Sequence, residues 1–250
     1  MNIVICGFGR AAKALTERVL QSEENKLIAV LGRKESKNIG KDIGEILYGK
    51  GIKLDINVIS FDSAVEMLKN EKIDVVIDFS NREMAFPLIE LCGELKTNLV
   101  ICTTNHTAEE IGKFQAMAND LNIGVVYAPN LTIGINLLME FVNKLGKVLA
   151  DFDFEIIEKH PKDKAQITAT ARMISQSINK TNTPIHSVRL NGFVGVHEVI
   201  ATDGIEKITI EHESFSRLAF AKGALAAANF IENKTGLYFM SDVIKSIEEN

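Results

Sequence analysis

The chain has 250 residues, 46% of them hydrophobic, and a formal net charge of −5. A chain of this length can bury a full core as one large domain or two modest ones. The negative net charge gives no electrostatic basis for binding nucleic acid or an anionic membrane, and every apolar run is shorter than a membrane span. The three cysteines lack metal-ligand spacing. We therefore expect a soluble cytoplasmic protein without a metal site.

In the first half of the chain, short apolar runs alternate with longer amphipathic segments. The apolar runs predict buried strands at Ile3–Cys6, Leu27–Leu31, Val75–Ile77, Leu99–Cys102 and Val125–Tyr127. The amphipathic segments predict helices at Ala11–Leu20, Ser63–Lys69, Glu83–Leu95 and Ala108–Leu121. Repeated β-α-β units of this kind build a doubly wound parallel sheet. Residues 32–57 are irregular, glycine-rich and charged, and we expect them on the surface.

The pattern changes after residue 130. A long apolar helix is predicted over 133–149, and alternating strands over 152–156, 186–190, 194–199 and 207–211. Because no crossover helix separates the last three strands, we expect an antiparallel sheet with one open face. A helix over 217–232 is predicted to close the chain.

The fold class expected from these elements is α/β: a Rossmann-type doubly wound parallel sheet with an inserted α+β domain that carries an open, mostly antiparallel sheet. We assign residues 1–130 to the dinucleotide-binding domain and residues 131–216 to the inserted domain. Residues 217–250 are expected to return to the first domain.

A glycine-rich segment, Gly7-Phe8-Gly9-Arg10-Ala11-Ala12, follows the first strand and opens the first helix. The first glycine permits a tight turn, the second lets the backbone approach a pyrophosphate, and the small third position packs the helix on the sheet. The helix N-terminus then favours the phosphates. This context predicts a dinucleotide site, while the alternative is an ordinary tight turn in another α/β sheet.

The end of the second predicted strand indicates which nucleotide is preferred. An NAD-selective site places an acidic residue here, but the run is Arg33-Lys34-Glu35. Two cations suit a 2′-phosphate, through hydrogen bonds of about 1.5–3 kcal/mol each. We therefore predict NADPH as the preferred cofactor. The alternative is a solvated basic loop, and Glu35 leaves NADH open.

Polar residues also follow two later strands, at the edge where doubly wound sheets bind ligands. These segments are Asp78-Phe79-Ser80 and Cys102-Thr103-Thr104-Asn105. We expect the cofactor to contact Phe79, Cys102, Thr103 and Thr104. Ser80 is expected to cap the following helix.

A histidine and a lysine, His160 and Lys164, follow the alternating strand of the second half. A lone histidine is more often structural, but here Lys162 and Lys164 bracket Asp163 directly after His160. Together with a hydride-carrying cofactor, such a pair can supply protons and positive charge to a C=N bond, which suggests a reductase. Arg217 could bind a substrate carboxylate bidentately, or could make an ion pair at a helix start.

Taken in order, these segments resemble the dihydrodipicolinate reductase family over nearly the whole chain. The segments that carry the resemblance are Gly7–Gly9, Asp78–Ser80, Thr103–Thr104, Ala128–Asn136, Glu155–His160, Ile185–Arg189, Gly195–Val199, Ser216–Ala224 and Gly236–Tyr238. The resemblance implies NAD(P)H-dependent reduction of a cyclic dicarboxylate in lysine and diaminopimelate synthesis, by a homotetramer. It implies His160 as proton donor or acceptor and Lys164 as proton donor. We expect the Thr168 and Thr170 hydroxyls to substitute in part for the Gly-Thr that holds the substrate in the family, Arg217 to assist in substrate binding, and further cofactor contacts at Ala128, Pro129, Asn130 and Leu131.

The substrate segment departs from the family pattern E-x-H-H-x-x-K-x-D-A-P-S-G-T. Pro161 replaces the second histidine, Gln166 replaces the aspartate, and residues 168–171 read Thr-Ala-Thr-Ala where the family has Pro-Ser-Gly-Thr. Val196 replaces a common glutamate. These changes leave two alternatives open: a paralogous reductase of another cyclic imine or amino-acid-derived substrate, and a relative that binds NADPH without catalysis.

Overall fold

The computed structural model describes residues 1–180 and 183–249. The strands described are β1 Asn2–Cys6, β2 Lys26–Gly32, β3 Val58–Ser60, β4 Val75–Asp78, β5 Asn98–Ile101, β6 Gly124–Tyr127, β7 Asp153–His160, β8 Ile185–Arg189, β9 Gly195–Thr202, β10 Lys207–Ser214 and β11 Gly236–Phe239. The α-helices described are α1 Arg10–Leu20, α2 Ile43–Tyr48, α3 Ala64–Leu68, α4 Ala85–Leu95, α5 Ala108–Asp120, α6 Ile133–Val148, α7 Ala169–Ile178, α8 Leu218–Phe230 and α9 Met240–Glu248. They form two compact units, one of residues 1–131 and 220–250 and one of residues 132–219.

Unit 1 (residues 1–131 and 220–250) contains a seven-stranded sheet in the order β11-β6-β5-β4-β1-β2-β3. Every neighbouring pair is parallel. The order reverses at β1, from which the chain moves first to β2 and β3 and then to β4 on the other side. This is the Rossmann arrangement, and it confirms the predicted fold class of this part of the chain.

The sheet of unit 1 is buried on both faces because its strands are apolar without alternation. Ile3 and Ile5 belong to one apolar layer, whereas Val4 and Cys6 belong to the layer on the opposite face. The first layer includes residues of α1, α8 and α9, and the second includes residues of α3, α4 and α5. Helix α8 comes so close to the segment after β6 that a Cβ on Gly223 would lie 1.6 Å from the Leu131 carbonyl oxygen.

Unit 2 (residues 132–219) contains a four-stranded sheet in the order β10-β9-β7-β8. The β10–β9 and β9–β7 pairs are antiparallel and the β7–β8 pair is parallel. The core side chains Phe154 and Ile156 of β7 pack with apolar residues of α6 and α7. Their neighbours Asp153 and Glu155 are exposed. The sheet therefore has one covered and one open face, as predicted.

Three elements differ from the sequence-based prediction. Residues 32–57 contain α2, whose N-cap Asp42 accepts hydrogen bonds from the N–H groups of Gly44 and Leu54. The chain does not close on α8, because β11 and α9 follow and β11 pairs with β6. Helix α7 was not among the predicted elements; it is the crossover that connects β7 to its parallel neighbour β8, in a sheet that is otherwise antiparallel as predicted. None of the described helices is long and apolar enough to cross a membrane.

Candidate functional site

The loop between β1 and α1 has the geometry of a phosphate-binding turn. Gly7 has φ +91°, and a Cβ on it would lie 2.7 Å from the Phe79 carbonyl oxygen. Gly9 is the N-cap of α1 and gives the helix no side-chain hydrogen bond, so the first-turn N–H groups can donate to an anion. A Cβ on Gly9 would meet no atom within 4 Å among the described residues. The second glycine thus leaves room for a ligand rather than for protein.

A cleft of about 760 Å³ lies beside this loop, a volume suited to a small-molecule ligand. Five predicted cofactor residues line it: Gly7, Phe8, Gly9, Arg33 and Phe79. Glu35, which the sequence analysis connected with NADH, and Ser80 also line it, whereas the prediction missed Ser36, Lys37, Asn38, Phe61, Asn81 and Met84. Most of them lie in the loops that follow β2 and β4. Their position directly after buried strands is the sequence signal that could have identified them.

The remaining predicted cofactor residues are not in the lining of this cleft as described: Arg10, Ala11, Ala12, Lys34, Cys102, Thr103, Thr104, Ala128, Pro129, Asn130 and Leu131. Ala12 is fully buried in the core, as expected for the small third position of the glycine motif. Residues 102–104 follow β5, and residues 128–131 follow β6. Because the strands are parallel, both segments lie at the same sheet edge as Gly7, and their cofactor contacts stay predictions.

The two cations after β2 have different environments. Arg33 lines the cleft, together with Glu35. The Lys34 Nζ atom lies 3.9 Å from Asp62 Oδ2, and both side chains are largely exposed. Arg33 therefore lines the cleft, whereas Lys34 makes a surface ion pair, and a contact between Arg33 and the cofactor stays a prediction.

A buried carboxyl group, Asp78, organises the loop after β4. Its Oδ1 atom accepts hydrogen bonds from the Ser80 backbone N–H at 2.8 Å and from the Ser80 hydroxyl at 2.5 Å. Burial raises the pKa of Asp78 to about 6, against the lowering effect of hydrogen bonds from Ser80 and Thr103. The prediction that Ser80 caps the next helix is wrong, because its hydroxyl donates to Asp78 and the N-cap of α4 is Met84.

The loop after β5 is held by a buried histidine. The Thr103 hydroxyl lies 3.0 Å from His106 Nε2. The His106 ring packs edge-on against Phe114 and Tyr127, at centroid distances of 5.0 and 5.5 Å. Burial lowers the pKa of His106, and Glu110 opposes this. His106 therefore supports the loop that carries Thr103 and Thr104.

In unit 2, His160 is the last residue of β7 and is buried at 7% exposure. Its Nδ1 atom lies 3.7 Å from Glu158 Oε2 and has no hydrogen-bond partner among the described residues. Burial lowers the pKa of His160 from 6.5, and the positive charges of Arg189 and Lys164 lower it further. The negative charge of Glu158 acts in the opposite direction and raises the pKa. Both the lowered pKa and the burial favour a neutral imidazole at pH 7, and the buried Nδ1 atom lies toward the Glu158 carboxylate.

Glu158 is the centre of a buried hydrogen-bond network and was not predicted as a site residue. Its carboxylate accepts hydrogen bonds from Arg189 Nη2 and the Ser187 hydroxyl, each at 2.6 Å. It also accepts from the Thr168 hydroxyl at 2.5 Å and the Thr168 N–H at 3.1 Å. Burial alone would raise the pKa of Glu158, but these hydrogen bonds lower it to about 2. Glu158 is therefore an anion throughout the physiological range.

The predicted substrate residues have different surroundings. Lys164 is exposed in the loop between β7 and α7. Thr168 is the N-cap of α7, and its hydroxyl accepts from the Ala171 N–H while it donates to Glu158. Thr170 lies in the first turn of α7, and the partly exposed Arg217 lies directly before α8. The substrate contacts of Thr168, Thr170 and Arg217 stay predictions.

His197 is a second residue that sequence reasoning missed. Its ring lies edge-on to that of His160 at a centroid distance of 5.1 Å, and burial lowers its pKa to about 3. Side-chain atoms of Glu158, His160 and His197 all lie within 4.8 Å of one another, which is compatible with metal ligation. However, the Glu158 carboxylate already accepts from the Arg189 guanidinium, so a cation there would meet positive charge. We interpret the trio as a polar network around His160.

Comparisons with known proteins decide the family. The model of the dihydrodipicolinate reductase N-terminus matches residues 1–131, and that of the C-terminus matches residues 134–244. This chain belongs to the dihydrodipicolinate reductase family. The 4-hydroxy-tetrahydrodipicolinate reductase of Buchnera aphidicola subsp. Schizaphis graminum is 32% identical over 98% of this chain and 97% of its own. That of Ralstonia nicotianae is 34% identical over 98% and 99%.

The fold is also that of a solved dihydrodipicolinate reductase. The dipicolinate-bound reductase from Paenisporosarcina sp. TG-14 matches with a TM-score of 0.76 and 24% identity, over 96% of this chain and 97% of that one. Within the family, this chain keeps the histidine and lysine of the substrate segment but has Thr168 where proline is expected. The structure shows what this threonine does: it caps α7 and donates to Glu158.

Proposed function

We propose that this protein catalyses the NAD(P)H-dependent reduction of 4-hydroxy-tetrahydrodipicolinate to tetrahydrodipicolinate, a step of lysine and diaminopimelate biosynthesis. The observation that carries this proposal is family membership over nearly the whole chain, together with retention of both His160 and Lys164. The proposal includes a cytoplasmic location, where this biosynthesis takes place.

The residues of unit 1 fit a pyridine dinucleotide. The first-turn N–H groups of α1 can hold the pyrophosphate, and the space beside Gly9 admits it. Arg33 can make a charge-assisted hydrogen bond to a 2′-phosphate, which favours NADPH, while Glu35 in the same lining can accept a ribose hydroxyl of NADH. When bound, the nicotinamide supplies the hydride. NADPH preference with some use of NADH is the cofactor specificity that we propose.

The residues of unit 2 supply charge and protons to a dicarboxylate. The Lys164 Nζ atom is exposed and can pair with a substrate carboxylate or donate a proton. His160 presents a neutral imidazole in a mostly buried position, so its ring can accept or relay a proton near pH 7. Arg217 and Thr170 are the proposed additional substrate contacts. General acid-base catalysis by such groups contributes about 10²–10⁴-fold in rate.

We also propose a homotetramer that uses the open face of the unit 2 sheet. This face carries the half-buried apolar residues Ile157, Val188 and Ile200 among charged neighbours. On the same face, Lys159 pairs with Glu198 and Glu211 at 3.3 and 3.0 Å.

Light scattering should give the wild type a mass of four chains, and Ile200→Glu should lower this mass. A wild-type monomer would contradict the assembly without affecting the proposed reaction.

The reaction is tested by mixing the purified protein with NADPH and 4-hydroxy-tetrahydrodipicolinate generated in situ by its synthase, and following nicotinamide absorbance. Oxidation by the wild type, lost by at least 100-fold in Lys164→Ala, is the expected result. Lys162→Ala is the matched control, because it removes an exposed lysine from the same loop. NADPH binding without oxidation would contradict the proposal and favour a different substrate or a non-catalytic role.

A further inference from the structure

The loop that carries Lys164, residues 161–168, is held by one arginine. Arg189, the last residue of β8, donates from Nε to the Lys164 carbonyl oxygen at 3.1 Å. Its Nη2 atom donates to the Ala165 carbonyl oxygen and to Glu158 Oε1, each at 2.6 Å. A single guanidinium thus joins two consecutive carbonyl groups of the loop to a fully buried carboxylate.

The end of the same loop is fixed through the same carboxylate. The Ile167 N–H donates to the Ser187 hydroxyl at 3.1 Å, and this hydroxyl donates to Glu158. The Thr168 N–H and hydroxyl also donate to Glu158. Ile167 has φ +55°, a conformation that β-branched residues rarely adopt. A strained backbone of this kind persists only where surrounding contacts hold it in place, and it is common at functional sites.

We propose that Arg189 is a positioning residue for the reduction: it sets the direction in which the Lys164 side chain leaves the loop. This inference rests on the proposed function of Lys164. The Lys164 side chain is exposed. The direction of its Cα–Cβ bond is therefore set by the loop backbone rather than by packing. The Arg189 fork donates to both carbonyl groups and to Glu158 at once, which the compact ammonium of a lysine does not reproduce.

Arg189→Lys tests the proposal because it keeps a cation beside Glu158 and removes the fork. We expect kcat to fall about 10- to 100-fold, since a misplacement of about 1 Å can cost 10²-fold. The dissociation constant of NADPH, which is bound by unit 1, should stay within twofold. Amide hydrogen exchange of peptide 161–168 should become at least tenfold faster. Arg172→Lys, an exposed arginine of α7, is the matched control and should leave all three quantities unchanged.

If Arg189→Lys does not fold, Glu158→Gln/Arg189→Gln removes the charge pair as a unit and should give the same pattern. Unchanged kcat, with or without faster exchange, would overturn the positioning role. If the wild type itself does not reduce the substrate, the proposed function fails and the exchange measurement decides alone. Faster exchange in the variant would then support Arg189 as the holder of the loop, and unchanged exchange would overturn it.

Discussion

Glu158→Gln is the substitution whose effect can be worked out most fully from the structure. The native carboxylate is fully buried and accepts hydrogen bonds from Arg189, Ser187 and Thr168. A neutral amide loses the charge and turns its NH₂ group toward a donor. A fall in pKa from 4.5 to about 2 corresponds to about 3 kcal/mol of stability, because one pKa unit is about 1.4 kcal/mol. In a chain of this size, about 3 kcal/mol lowers Tm by roughly 6–12 °C.

The pH dependence gives this prediction its sharpest form. A carboxyl group with a lowered native pKa stabilises the protein above its unfolded pKa, and the stability is lost as the pH falls through the native pKa. The difference between wild type and Glu158→Gln should therefore be complete from pH 7 down to about 5. It should shrink below pH 4.5 and largely vanish near pH 2, because glutamine does not titrate.

Urea unfolding followed by far-ultraviolet circular dichroism, at several pH values between 3 and 7, measures this difference. Glu155→Gln is the matched control: it lies in the same strand, is more than half exposed and pairs only with the exposed His186 at 3.1 Å among the described contacts. It should have little effect. The reasoning is refuted if Glu158→Gln is as stable as wild type at pH 7, or if the difference stays constant down to pH 3.

Four further predictions concern the two halves of the candidate site. Gly7→Ala should abolish detectable NADPH binding in a fluorescence titration, because φ +91° costs a residue with a side chain about 1–2 kcal/mol and its Cβ would meet a carbonyl oxygen; retained affinity would contradict the cleft assignment. Arg33→Ala should raise the KM for NADPH about tenfold and have little effect on the KM for NADH, whereas Lys34→Ala should change neither KM. If both substitutions raise the KM for NADPH equally, Arg33 and Lys34 do not differ in their role. Because the pKa of His160 is lowered from 6.5, the fall of kcat/KM on the acid side should have its midpoint below pH 6.5, and a limb above pH 7 assigned to this residue would be inconsistent. Gly195→Ala should lower kcat severalfold in steady-state assays, because its Cβ would lie 3.2 Å from His160 Nε2 and displace the ring; unchanged kcat would show that the ring position does not matter.

The glycine loop shows what local sequence can establish. The turn, the helix start and the small third position all depend on residues close together in the chain, so Gly7, Gly9 and Ala12 could be interpreted from their order alone. The same holds for the buried strands, whose continuous apolar runs indicate a sheet covered on both faces. Short elements gave no such signal: α2 has six residues and β11 has four.

The Glu158 network shows what local sequence cannot establish. Arg189 lies 31 residues from Glu158 along the chain, and His197 is paired with it only through the register of β7 and β9. Alternation predicts which residues share a face, but pairing depends on strand order. The sequence analysis gave no strand order for the second sheet, and the structure supplies it as β10-β9-β7-β8.

The sequence by itself determined the Rossmann-type unit, the inserted second unit and the family, because these depend on apolar periodicity and on motifs of consecutive residues. It also led to the prediction of His160 and Lys164 as catalytic residues. Only the tertiary structure decided how these two are held, because burial and hydrogen bonds between distant segments set the low pKa of Glu158 and fix the loop through Arg189. The tertiary structure also distinguished Arg33, which lines the cleft, from Lys34, which pairs with Asp62. Neighbouring cations on a loop can point to different surroundings although their chemistry is alike.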